Sequence, residues 1–315
     1  MGGERTSAAN LPESIYPPDL AAIQAFETID GKRISFFDSA RRRDRPIVAG
    51  GLPTLLMVHG NLTSAYVYHK LIAYLSPRYR CVAPDLTGFG MSDKPSDSSQ
   101  YSLEAHIDAI GKLVARLELE DTVLVGHDWG GPIGLGAALG DRRRYRGLVI
   151  LNTLSGPLMR IPWQYRIPLA LATRSDRLSD LLIRRLGLFQ RLGLRRSLDT
   201  RSRRIYARAN HDASTRVGIA TFPRLIPTSP DHSSYRLLSE IYGDLESWEI
   251  PALVLFSDRD LIFSAAEGRA LAGRLRRATF AVVHGAHHFV QDEAPDIVAR
   301  AIDEFTGSAN GQILP

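Results

Sequence analysis

Short apolar runs recur through the first half of the chain, and between them lie longer segments in which apolar positions return every three or four residues. The runs at 33–37, 54–58, 81–83, 122–125 and 148–151 are rich in aliphatic and β-branched residues and read as strands. The segments near 67–75, 103–117 and 133–139 have helical spacing. From about 155 to 245 the strand pattern stops. That stretch is rich in arginine and leucine, and Pro157, Pro162, Pro168, Pro223, Pro227 and Pro230 divide it into helical pieces with irregular joins. The alternation resumes with a run at 253–256, a helix near 265–275, a run at 279–283 and a last helix over 295–305. Alternating strands and helices predict a mainly parallel sheet flanked by helices. A helical stretch between two halves of one sheet predicts an inserted cap, so the expected organisation is a core over 1–154 and 246–315 with a helical cap over 155–245.

One strand-to-helix junction stands out. In Val125-Gly126-His127-Asp128-Trp129-Gly130-Gly131 an aspartate occupies the centre of a small-x-nucleophile-x-small pattern. A sharp turn of this kind exposes one strained side chain and needs small residues two positions away on each side, where strand and helix approach closely. Gly126 and Gly130 meet that need. Esterases place serine at this position; a carboxylate is already ionised at neutral pH and attacks a saturated carbon directly, forming an alkyl ester without a base to activate it.

In an open parallel sheet the functional groups gather beyond the carboxyl ends of the strands. After the run at 54–58 comes His59-Gly60-Asn61, after 253–256 comes Ser257-Asp258-Arg259-Asp260, and after 279–283 comes His284-Gly285-Ala286-His287-His288-Phe289. Nucleophile, acid and histidine thus follow one another in the chain order of a hydrolase triad. Hydrolysis of an ester on Asp128 needs a neutral imidazole held by a carboxylate. His288 is the expected base, with His287 and His284 as competitors, and Asp260 the expected acid in preference to Asp258; the position after 148–151 is held by the uncharged Asn152. A leaving anion also requires donors, and the indole of Trp129 and the amide of Asn61 are candidates, although each residue type also serves as plain core or turn. The backbone N–H of Trp129, with a second from the Asn61 loop, is the expected oxyanion hole.

Composition narrows the class. With 315 residues, 44% hydrophobic and 23% charged, the chain suits one large α/β domain with an insertion. No apolar stretch approaches the roughly 20 residues of a membrane span, and the polar start lacks the apolar segment of a secretory signal. A single cysteine, Cys81, makes neither an internal disulfide nor a thiolate metal site, and a cytoplasmic location is expected. Met1-Gly2-Gly3-Glu4-Arg5-Thr6 fits a myristoylation pattern only nominally. The net charge of +5 comes from arginine clusters at 41–43, 142–146 and 184–204, which leucines interrupt at helical spacing; they read as solvated helix faces rather than a nucleic-acid surface.

Taken together, His59-Gly60-Asn61, the run 84–95 (Pro-Asp-Leu-Thr-Gly-Phe-Gly-Met-Ser-Asp-Lys-Pro), the elbow at Asp128, Leu151-Asn152-Thr153, Phe256-Ser257-Asp258-Arg259-Asp260 and His288-Phe289-Val290-Gln291-Asp292 resemble a haloalkane dehalogenase over about 30–305. The resemblance implies an α/β-hydrolase fold with a helical cap, Asp128 as nucleophile, His288 as base, Asp260 as acid, and Asn61 with Trp129 as the halide-binding pair. It implies no cofactor and no metal, and as partners a small apolar halogenated substrate and the halide ion. Two positions depart from the family pattern: Leu62 stands where proline is usual, and His287 where glycine is usual. The Asp-Trp elbow is shared with epoxide hydrolases, which need acidic donors such as cap tyrosines, here Tyr165, Tyr206 or Tyr242. Some relatives with this arrangement are β-lactone decarboxylases, and a silent hydrolase-fold receptor is the non-enzymatic alternative. Trp163 in the cap is a further candidate substrate contact.

Overall fold

The computed structural model describes residues 13–42, 52–157 and 176–307. Trp163, Tyr165, Pro162, Pro168 and the nominal myristoylation pattern lie outside the described residues.

Eight strands form one sheet in the order β1-β2-β4-β3-β5-β6-β7-β8. They are β1 (Gln24–Ile29), β2 (Lys32–Asp38), β3 (Thr54–Val58), β4 (Arg80–Pro84), β5 (Thr122–His127), β6 (Tyr145–Leu151), β7 (Ala252–Ser257) and β8 (Ala278–Val283). β1, β2 and β4 pair antiparallel, and every pairing from β4 through β8 is parallel. The central strands β3 and β5 are buried along their whole length, as helices on both faces of a parallel sheet require.

β1 was not among the expected strands. It is an edge strand whose residues are mostly half-buried, so its apolar signal is weak. Its partner is fixed by a two-residue turn in which Asp30 (φ 47°) and Gly31 (φ 74°) both take left-handed backbone, the geometry of a tight hairpin.

The helices named here are α1 (His69–Leu75), α2 (Leu103–Arg116), α3 (Gly130–Gly140), α4 (Leu188–Arg195), α5 (Thr200–Ala209), α6 (Ser233–Leu245), α7 (Ala265–Ala272) and α8 (Pro295–Gly307). α3 leaves the elbow and lies against the sheet so closely that a Cβ on Gly130 would sit 1.9 Å from the Val58 carbonyl oxygen, and one on Gly126 would sit 2.8 Å from the Gly130 carbonyl oxygen. Between β6 and β7 the described residues contain helices and turns only, including α4, α5 and α6. The hydroxyl of Tyr242 on α6 donates to the Leu154 carbonyl at 2.5 Å, fastening this helical stretch to the end of β6. No helix among the described residues is long and apolar enough to cross a membrane.

Candidate active site

Six parallel strands end on one edge of the sheet, and the loops that follow five of them bring Asn61, Asp128, Asn152, Asp260 and His288 into one neighbourhood. Asp128 is at the tightest point. Its φ of 52° is a conformation that L-residues rarely adopt, and it persists because the surroundings hold the turn on both sides. Its N–H donates to the Asn152 carbonyl at 3.0 Å, and its own carbonyl accepts from the Thr153 hydroxyl at 2.6 Å and the Gly131 N–H at 3.0 Å. The absence of a side chain at residue 60 is equally necessary, because a Cβ on Gly60 would lie 2.1 Å from Asp128 Oδ1.

The two carboxylate oxygens of Asp128 have different surroundings. Oδ1 accepts the Asn61 backbone N–H at 2.7 Å, whereas Oδ2 faces His288 Nε2 across 3.8 Å. Burial raises the pKa of this carboxyl above its ordinary value; His288 and the backbone N–H groups of Trp129 and Asn61 draw it back toward the charged form. The carboxylate also lies at the first turn of α3, where the helix dipole favours negative charge.

His288 is oriented from behind. Its Nδ1 lies 2.9 Å from Asp260 Oδ2, and the Asp260 side chain is fully buried, with its other oxygen accepting the Ile262 N–H at 2.7 Å. Burial by itself would lower the imidazole pKa, but the carboxylates of Asp260 and Asp128 outweigh it and hold the pKa above the usual histidine value. The neighbouring candidates separate into other pairs. His284 pairs with Asp258 at 2.9 Å on the exposed surface. His287 is turned to Glu293, which accepts both its backbone N–H and a bond from its ring, each at 2.9 Å.

Asn61, Leu62, Asp128, Trp129 and His288 line a cavity of about 100 Å³, closed by the apolar side chains of Leu154, Phe189, Pro223, Ile226, Ile262 and Phe263. Trp129 is buried, with its ring edge-on to Phe222. The Asn61 side-chain oxygen accepts the Leu62 N–H at 2.8 Å, so the amide presents its NH₂ end elsewhere. That bond depends on the departure at residue 62, because proline has no N–H and its ring cannot take the φ of 68° found there. Tyr206 and Tyr242 do not line the cavity; both are buried in packing, Tyr242 with its hydroxyl committed to Leu154.

One positioning residue escaped the sequence reading. Asn152 was set aside because it is uncharged, yet its buried side chain donates to Ser257 Oγ at 2.6 Å and to the His287 and His288 carbonyls at 3.1 and 3.2 Å, and accepts the Ser257 N–H at 2.9 Å. It joins the nucleophile turn to the loop that carries His288. The available signal was its place directly after a strand adjacent to the elbow strand. His127 adds a second tie, with Nε2 2.8 Å from the His288 carbonyl oxygen. Among the described residues no group of three or more histidine, cysteine, aspartate or glutamate side chains is arranged to hold a metal ion.

A family model described as the alpha/beta hydrolase fold matches residues 53–295. The chain is 31% identical to haloalkane dehalogenase 2 of Mycobacterium tuberculosis over 280 residues, 86% of this chain and 94% of that protein. It is also 31% identical to a cis-3-alkyl-4-alkyloxetan-2-one decarboxylase of Xanthomonas campestris pv. campestris over 266 residues, 80% of this chain and 87% of the relative. The crystal structure of the haloalkane dehalogenase DatA from Agrobacterium tumefaciens C58 superposes with a TM-score of 0.78 at 22% identity, covering 89% of this chain and 94% of that one, a likeness of fold. The chain belongs to the α/β hydrolase fold family. Within it, it is an enzyme of the haloalkane dehalogenase group, a hydrolase whose near relatives include oxetanone decarboxylases.

Proposed function

We propose that this protein is a hydrolytic dehalogenase that converts a small haloalkane and water into an alcohol, a halide ion and a proton. In the first step Asp128 Oδ2 attacks the halogen-bearing carbon in line; the carbon–oxygen bond forms as the carbon–halogen bond breaks, and the bonding pair leaves on the halide. The Asn61 amide and the Trp129 indole, both at the cavity wall, donate to that anion. In the second step His288 Nε2 takes a proton from a water that attacks Asp128 Cγ. The charge that develops on Oδ1 meets the Asn61 N–H already 2.7 Å away, and the neighbouring Trp129 N–H. Collapse of the intermediate releases the alcohol and restores the carboxylate, and the imidazolium, stabilised by Asp260, gives its proton to solvent.

The observation that carries this reading is the asymmetry of Asp128, with one oxygen held by a backbone donor and the other directed at a histidine. The cavity supports small substrates, since about 100 Å³ lies well below the ~300–1,000 Å³ of clefts that enclose drug-sized ligands. A second reading, decarboxylation of an oxetan-2-one, rests on the relative from Xanthomonas and would use the same carboxylate to open the ring. A ring bearing two alkyl chains fits the cavity less well. An epoxide hydrolase lacks acidic donors among the described cavity residues. The complete set of Asp128, His288 and Asp260 favours an enzyme over a silent receptor. The single cysteine, Cys81, is buried and has no second cysteine to bridge to, in keeping with a cytoplasmic location.

The test is bromide release from 1-bromobutane and 1,2-dibromoethane. Asp128→Asn is expected to lose on the order of 10⁴-fold or more in rate. His288→Phe is expected to stop after one turnover and accumulate an alkyl adduct on Asp128 by mass spectrometry. A folded wild-type protein that frees no bromide, yet releases CO₂ from a dialkyl β-lactone, would replace the first reading with the second.

A further inference from the structure

The cap carries an unusual outer surface. Over residues 176–208 ten arginines stand against three aspartates, a local charge of +7 in a chain whose net charge is +5, so the rest of the molecule is slightly acidic. Of the exposed large hydrophobic side chains among the described residues, more than half fall in the same stretch; Leu181, Leu186, Leu188 and Leu192 are 37–65% exposed.

The two residue types share faces. On α4, Leu188, Arg191, Leu192 and Arg195 recur at i, i+3, i+4 and i+7 and are all exposed, while Gln190 and Leu194 point inward and are buried. On α5, Arg201, Arg204 and Arg208 form the matching outward row over the buried Ser202, Ile205 and Ala209. Arg184 and Arg185 share Asp180 in ion pairs, whereas Arg191, Arg195, Arg201, Arg204 and Arg208 have no carboxylate partner among the described residues. An arginine row without leucines would suit nucleic acid, and leucines without arginines would suit another protein. The interleaved pattern suits a surface with anionic headgroups above and hydrocarbon beneath.

We propose that the outer face of α4 and α5 is a docking surface for anionic lipid bilayers, bound peripherally by arginine–phosphate contacts and shallow insertion of Leu188 and Leu192. The position of the cavity fits this. Phe189, the residue between Leu188 and Gln190, lines the active-site cavity, so the docking helix is also a wall of the site. Apolar substrates concentrate in bilayers, and docking through α4 brings the cavity wall to that reservoir. Docking does not depend on the catalytic chemistry and serves whichever apolar substrate the site takes.

The experiment is sedimentation of the full chain with vesicles of phosphatidylcholine alone and of phosphatidylcholine with 30% phosphatidylglycerol, the latter share chosen as roughly that of an anionic leaflet. The expected result is binding to the anionic vesicles only, weakened at least tenfold by raising salt and by Arg191→Gln with Arg195→Gln, and weakened at least threefold at low salt by Leu188→Ser with Leu192→Ser. Both variants alter exposed positions, and their thermal unfolding is measured beside the wild type to confirm folding. Absence of binding to anionic vesicles would overturn the proposal. So would binding that the leucine variant retains in full, or tight binding to duplex DNA through the same arginines in place of the vesicles.

Discussion

The floor of the candidate site and the helical stretch between β6 and β7, here called the cap, are built on opposite physical rules. On the floor, polar groups are buried and each is held by several partners: Asp128 from four directions, Asp260 from two, Asn152 from both neighbouring loops. Glycines there meet backbone or side chains that are themselves held, as Gly130 meets the Val58 carbonyl and Gly60 meets Asp128. In the cap, Arg216 is buried on backbone carbonyls, but the arginines of α4 and α5 are mostly exposed and without carboxylate partners, and a glycine such as Gly193 would touch only the end of a flexible side chain, Leu62 Cδ1 at 2.5 Å. The difference teaches where the chemistry is fixed and where shape is free to vary. A strained residue such as Asp128 persists only on a floor that cannot relax, whereas a cap made of amphipathic helices changes its lining at small cost.

The sharpest way to break that comparison is a pair of glycine substitutions. Gly130→Ala drives a Cβ into backbone and is expected to cost about 3 kcal/mol or more, or to prevent folding, because neither β3 nor α3 can retreat. Gly193→Ala displaces only the Leu62 tip and gains helix propensity, so its stability is expected within about 1 kcal/mol of wild type. Chemical denaturation of the two variants decides the matter; equal losses would show that cap and floor are equally rigid.

A second test sharpens the floor's side of the contrast through pH. In the proposed mechanism His288 acts as a base only when neutral, and its pKa is held above the usual histidine value because Asp260 and Asp128 outweigh burial. The sign follows: as pH falls through that raised pKa the imidazole is protonated, and hydrolysis of the alkyl ester slows about tenfold per further unit. Alkylation by Asp128 persists to lower pH, since a carboxylate attacks without a base. Single-turnover kinetics followed by mass spectrometry are expected to show the alkyl adduct accumulating in acid. Asp260→Asn removes the main source of the upward shift and is expected to move the profile to lower pH. An unchanged profile would mean that His288 is not the group being titrated.

Much of this architecture was legible in the sequence, and the exceptions have physical causes. The strands at the apolar runs, the elbow, and the pairing of His288 with Asp260 could be read because each rests on a local pattern: aliphatic runs, glycines at fixed offsets, a carboxylate just past a strand. β1 was missed because an edge strand buries little, although Asp30-Gly31 before a strand was a hairpin signal in plain view. Asn152 was missed because its role comes from neighbours far away in sequence, at 257 and 287–288, which only the sheet order brings together. His287 stood as a competitor of His288 for the base; its partner Glu293 belongs to a short helical turn whose position no spacing rule supplies. Of the cavity lining, Asn61, Asp128, Trp129 and His288 were legible from their places after strands, whereas the apolar walls from Leu154, Phe189, Pro223, Ile226, Ile262 and Phe263 were not, because distant segments contribute them.

The smallest predicted effect lies where the two regions touch. Gln190 on α4 is buried and donates its side-chain N–H to the Leu62 carbonyl at 2.9 Å, one residue from Asn61. The bond crosses from the adaptable side of the molecule to the fixed side, and it holds the loop whose left-handed residue 62 sets the Asn61 amide. Gln190→Leu keeps the bulk but leaves that carbonyl without its donor, which is expected to cost about 1 kcal/mol of stability. If the cap only shapes the cavity, KM for a bromoalkane rises a few-fold while the rate of ester hydrolysis stays within about twofold, because Asp128 Oδ1 keeps its bond to the Asn61 backbone N–H rather than to the side chain. A larger fall in the hydrolysis rate would mean that the cap, through Gln190 and Leu62, also holds the oxyanion donor in place, and the division between a fixed floor and an adaptable cap would have to be drawn one residue further out.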